Sequence, residues 1–257
     1  MNIREITKEI INQLEKKSGY QVTILEDPEL TTIANIKIAR GNLPGHILSY
    51  HPSPGLEPDY AISWQCVFAM RMFECPPDQR SQITSSPLGE KKVEELIQKG
   101  IGQKLQLPKN QLESLKQQLL SGLITHLRSV PIGFRVVTWL DNHYPELNDL
   151  KQQFAEQELK GGVDSLDTRI QKIMPPLIFN STMYINSAHA NFWSKNLNNP
   201  KLTNPYRSMG AVFQGQKLLE IAESIPSDPI NDEKLIDSWA TYLKIQDWYN
   251  WIPYIAP

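Results

Sequence analysis

Cysteine is scarce in this chain, 2 among 257 residues. Cys66 and Cys75 stand nine positions apart, which is neither a disulfide framework nor a Cys-x-x-Cys metal or redox pair, so they read as two reduced structural thiols. Excess charge of either sign is missing too. Lys and Arg number 26 against 28 Asp and Glu, and a net charge of −2 supplies no field to recruit DNA, RNA or an anionic membrane. Nucleic acid is therefore not expected as a partner. No apolar run is long enough to span a bilayer. The opening "MNIREITKEIINQLEKKSGY" alternates charge with aliphatics where a signal peptide would carry a continuous apolar stretch. A soluble, cytoplasmic protein with no membrane partner is the resulting expectation. Also absent are a Gly-x-Ser-x-Gly elbow, a Gly-rich phosphate loop and an Asp-x-Asp calcium pattern. These absences shift weight from catalysis toward binding, and no cofactor, metal or catalytic residue is expected.

What is present falls into two textures. Ile3, Ile6, Ile10, Ile11 and Leu14 recur at helical spacing up to Gly19, which predicts an amphipathic helix over residues 2–17. Three stretches with β-branched residues follow, "YQVTIL" (20–25), "TTIANIKIA" (31–39) and "GHILSYH" (45–51), separated by turn residues in "EDPEL" and "RGNLP". They predict a small antiparallel meander with 45–51 as its exposed edge. "HPSPGLEPD" then breaks regular structure, and Pro58 opens a helix over 58–73 that Pro76 and Pro77 halt. Beyond it helical periodicity dominates, with helices predicted at 90–102, 109–128, 131–142, 145–159, 164–173, 176–197, 208–224 and 232–243. Pro131 is read as a helix start and Gly161–Gly162 as a break. The fold class is α+β: a three-stranded antiparallel sheet with flanking helices, then a mostly α-helical body, with strands only in about 20–51. The best cut lies in "SQITSSPLGE" near residue 85, giving regions 1–85 and 86–257, with a shared core left open.

The helix in "DYAISWQCVFAMRMFECPPDQR" (59–80) carries the most specific signal. Helix, three-stranded sheet, then a second helix is the minimal scaffold of zincin metallopeptidases. In those enzymes two histidines one turn apart on the second helix bind zinc, and the glutamate after the first polarises a water. The stretch "YAISWQCVFAMR" resembles the active-site helix of the ImmA/IrrE-like peptidase group, and the resemblance covers residues 1–80. Aligned in that way, Trp64, Gln65 and Phe68 stand where His, Glu and His would be. Indole and phenyl rings offer zinc no lone pair, and a carboxamide is no general base at neutral pH. The resemblance thus implies a degenerate, non-catalytic zincin-like domain acting through a protein or peptide partner, in the family's setting of regulation, defence or mobile-element control. It also implies a retained groove, with Trp64 and Phe68 as an apolar floor, Gln65 and Arg71 orienting a ligand, and His51 among its residues. Read without the resemblance, Tyr60, Trp64, Val67, Phe68 and Arg71 are one packed face of an amphipathic helix. Neither reading binds zinc there.

Other residues carry weaker signals. Arg71 fits an anion contact or a pairing with Asp59 or Glu74. Of five histidines, His46 and His51 lie at odd separation along one strand and point to opposite faces. A hydrolase using His51, Cys66 or His189 is the alternative function, although a buried cysteine in "WQCVFAM" behaves as a small hydrophobe. A subunit of a larger assembly is a third. Tyr184, Asn186, His189 and Trp193 could line a polar pocket or simply satisfy one another inside a bundle. Trp239, Tyr242, Trp248, Tyr249, Trp251 and Tyr254 make the end of the chain aromatic, and "DWYNWIPYIAP" either wraps the body as a clamp or docks a partner.

Overall fold

The computed structural model describes residues 3–53, 55, 57–99 and 108–257. It groups the chain into two compact units. One comprises residues 1–82, 132–157 and 253–257, the other 83–131 and 158–252.

The first unit opens with α1 (Glu5–Ser18), which buries Ile10, Ile11 and Leu14 and stops at Gly19 in the left-handed region, φ 80°. Glycine takes that conformation without a steric penalty, and its N–H bonds back to the Glu15 carbonyl at 2.8 Å. Strands β1 (Val22–Glu26), β2 (Ala34–Lys37) and β3 (His46–Tyr50) follow, then α2 (Asp59–Glu74), which packs on α1 and over β2 and β3. The sheet order is β1-β3-β2. β3 runs parallel to β1 and antiparallel to β2, so the sheet is mixed, and the expected antiparallel meander with 45–51 at its edge is corrected on both counts. The side chains explain the order. β3 alternates buried and half-buried residues along its whole length, with His46 and Leu48 wholly buried, whereas β1 carries Glu26 and β2 carries Asn35 and Lys37 in solvent. Apolar alternation suits a strand paired on both sides, and charge suits an edge. His46 stays neutral inside: its Nδ1 accepts from the Ala39 N–H at 3.0 Å and its Nε2 donates to Ser18 Oγ at 2.9 Å.

The second unit is mainly helical. Ser86 caps α3 (Pro87–Ile97) by accepting from the Gly89 N–H at 2.9 Å; the end of the helix predicted at 90–102 lies outside the described residues. α4 (Lys109–His143), whose residues from 132 onward belong to the first unit, runs unbroken through Pro131. Leu120, Leu123 and Leu127 before the proline and Ile132, Val136 and Leu140 after it are all buried, and that burial outweighs the hydrogen bond the ring removes. α5 (Asn148–Asp164), of which residues 148–157 belong to the first unit, likewise passes through Gly161–Gly162. There the glycine serves close approach: a Cβ at Gly162 would lie 2.9 Å from the Tyr206 hydroxyl. After α6 (Thr168–Ile173), α7 (Pro176–Asn196) and α8 (Ala211–Ser224) cross where Gly215 meets the backbone of Ser187 and Ala188. α9 (Asp232–Leu243) follows α8 in the chain. Strands β4 (Ser81–Ser85) and β5 (Tyr249–Pro253) pair as a second sheet, correcting the expectation of strands in 20–51 alone. "SQITS" is polar but for Ile83 and "YNWIP" ends in a proline, so neither reads as a strand on its own. Among the described residues, no helix is long and apolar enough to cross a membrane.

Candidate functional site

The site starts from the backbone of β2. Ile33 accepts from the His51 N–H at 2.9 Å, and the register pairs Asn35 with Ser49 and Lys37 with Ile47. Alternation therefore turns the main-chain groups of Ile33, Asn35 and Lys37 toward β3 and those of Ala34 and Ile36 outward. From α2, the Gln65 side chain reaches this outer line and donates to the Ala34 carbonyl at 3.0 Å. The amide and carbonyl of Ile36 have no partner among the described residues. The opposite edge is treated in the same way. The Glu15 carboxylate accepts from the Val22 N–H of β1 at 2.8 Å, so each helix flanking the sheet caps one outward group of one edge strand.

The residues singled out from the sequence divide into separate settings. Gln65 and His51 converge on neighbouring residues, Gln65 on Ala34 of β2 through its side chain and His51 on Ile33 just before the strand through its backbone, while the His51 ring bonds Ser53 Oγ at 2.8 Å. Trp64 and Phe68 stack with ring centroids 5.2 Å apart and planes at 16°. Trp64 also packs on Phe154, and its ring lies 2.9 Å from where a Cβ of Gly133 would be. Both rings are half-buried. Arg71 is buried, 7 % exposed. Asp59, also buried, accepts from the Arg4 N–H at 2.8 Å and so closes the start of α1. Glu74 pairs with Lys17.

Burial sets the protonation states. Cys66 is wholly buried and its thiol is pushed far up by loss of solvation, so Cys66 stays a thiol at neutral pH. His46 is pushed down to about 4 by burial. Tyr50 is pushed up to about 12, first by burial and then by its 2.7 Å bond to Glu26. Among the described residues no three His, Cys, Asp or Glu side chains gather as a metal-holding group. In the helical unit, Nε2 of His189 accepts from Trp193 Nε1 at 2.8 Å and Asn186 donates to Ser165 Oγ at 3.1 Å. These polar groups satisfy one another within the bundle.

Sequence reasoning missed β2 as the edge. The signal was there in Lys37, a charge of the kind that edge strands favour, and in the cleaner alternation of "HILSY". Compared with protein-family models, curated proteins and solved structures, the chain matches none.

Proposed function

We propose that the front unit is a non-catalytic, zincin-like binding module that takes an extended peptide or protein segment by strand addition to the outer edge of β2. The observation that carries this reading is the outward-facing amide and carbonyl of Ile36, next to an Ala34 carbonyl that Gln65 already occupies. Strand addition draws affinity from main-chain hydrogen bonds and needs no catalytic group. The order of helix, sheet and helix supports the zincin-like part, with Trp64, Gln65 and Phe68 at the positions of a His-Glu-x-x-His motif. In that place Gln65 keeps the reach of a glutamate and uses it as a donor to the strand, a role that a carboxylate could not fill.

The test uses the intact chain and a displayed library of linear peptides. Selected peptides are expected to bind the native chain and to lose at least about tenfold in affinity against Ile36→Pro, which removes the outward N–H and leaves the ladder to β3 alone. Equal binding by a folded Ile36→Pro variant, or no enrichment at all, overturns the reading.

A further inference from the structure

Residues 253–257 belong to the same unit as the three-stranded sheet, far as they are from it in sequence. Tyr254 is their anchor. Its N–H donates to the Arg80 carbonyl at 2.9 Å and its hydroxyl to the Ala39 carbonyl at 2.5 Å. Its ring meets Phe73 edge-on with centroids 5.7 Å apart. The Phe73 ring centroid in turn lies 5.5 Å from that of His46 and 6.3 Å from that of Tyr20, and the Arg80 guanidinium sits over the Phe73 ring, 5.3 Å from its centroid. One residue on, the Ile255 carbonyl accepts from the Gly41 N–H at 3.2 Å. By contrast the Ile255 side chain is 69 % exposed, and Ala256 and Pro257 lie in solvent.

We propose that this arrangement is a tyrosine socket, and that residues 254–257 are its internal ligand, able to leave without unfolding the sheet. The socket is built by elements that hold together without the segment. Arg80 is fixed by its own bonds to the Phe73 and Cys75 carbonyls at 3.0 Å each. Ala39 is fixed by its bond to His46. Phe73 belongs to α2 and Gly41 to the turn that the Arg40–Leu43 bridge closes. The segment contributes one aromatic ring, one hydroxyl and two main-chain groups, and its remaining side chains bury little. A ligand of that kind is an extended stretch of chain with a tyrosine at its anchor position, which the carbonyl of Ala39 selects over phenylalanine. The inference rests on different residues from the β2 edge and stands apart from that reading.

The test uses the full chain carrying Tyr254→Ala and a labelled peptide of sequence Pro-Tyr-Ile-Ala-Pro. Fluorescence polarisation should show the variant binding the peptide at least about tenfold more tightly than the native chain, whose socket is filled. A peptide with phenylalanine in place of tyrosine should bind the variant roughly tenfold more weakly, for want of the hydrogen bond to Ala39. Equal binding to both chains, or no binding by a variant whose melting transition shows it folded, overturns the proposal. Should Tyr254→Ala not fold, hydrogen exchange on the native chain decides. The Gly41 and Tyr254 amides are expected to exchange together and faster than Leu48 in the central strand, and exchange no faster than Leu48 refutes a separable segment.

Discussion

Three glycines in helices show how one missing methyl group is used differently at each place. At Gly122 an added Cβ meets nothing within 4 Å, so Gly122→Ala should gain the ordinary helix preference, about 0.5–1 kcal/mol. At Gly133 the same methyl would stand 2.9 Å from the Trp64 ring. A ring on a half-buried side chain can move at a cost, and Gly133→Ala should lose about 1 kcal/mol after the helix gain is counted. Trp64→Leu in the same chain should recover the loss if the clash is its cause. At Gly215 the methyl would lie 2.6 Å from the Ala188 nitrogen and the Ser187 carbonyl carbon. Backbone cannot step aside, and Gly215→Ala should destabilise most of the three, by about 3 kcal/mol or more. Urea unfolding of the three variants gives the order directly. A different order, with Gly215→Ala mild, would mean that α7 and α8 separate more easily than their contact implies.

The elements make their own predictions. In β2, proline at 36 removes an outward N–H, and proline at 37 removes one from the ladder to Ile47. Lys37→Pro should therefore be about 2 kcal/mol more destabilising than Ile36→Pro, since it leaves a paired carbonyl without its donor. Similar losses in thermal or urea unfolding would mean that the edge is assigned to the wrong residues. In α4, Pro131 is held inside a helix by burial on both sides. Pro131→Ala restores one donor and relieves the ring's contact with the preceding turn, so stability should rise by about 1–3 kcal/mol. No gain in urea midpoint would show that the helix already bends around the ring at no cost.

At the scale of the molecule, acid is the informative variable. His46 in the sheet unit is lowered by burial to about 4, and His189 in the helical unit to about 3, first by burial and then by the charge of His126. In the unfolded chain both titrate at the ordinary 6.5. Between those limits the unfolded state binds more protons than the folded one, so stability rises with pH there and is lost as pH falls below about 6.5. Each histidine contributes a slope of up to about 1.4 kcal/mol per pH unit. The urea midpoint should fall steadily from pH 6.5 toward pH 4, and His46→Asn should remove one proton's share of the slope. An unchanged slope in that variant would mean that His46 gains its proton in place, with Ser18 and Ala39 adjusting around it.

Local order was largely legible before any coordinates. The charge-aliphatic period of α1, the apolar alternation of "HILSY" and the proline that opens α7 each act over a few residues, so their effects are written in the neighbours. The α+β class and the succession of helix, three strands and helix followed from them. What the chain could not reveal by itself was who pairs with whom. Sequential strands suggested a meander, yet β3 sits between β1 and β2 because it is the strand that can be buried on both sides. "SQITS" and "YNWIP" stand more than 160 residues apart and become strands only on meeting. Pro131 and Gly162 read as breaks because propensity is local, and each is overruled by tertiary packing: burial of the helix before and after the proline in one case, Tyr206 in the other. The candidate sites divide in the same way. Gln65 could be singled out from its helix, but its target, a carbonyl facing away from β3, exists only once register fixes which groups of β2 turn outward. Tyr254 is one aromatic among several in the sequence. Tertiary structure alone sets it against Phe73, Arg80 and Ala39, because long-range contacts are chosen by burial and hydrogen-bond closure summed over the whole unit, and no single stretch carries that sum.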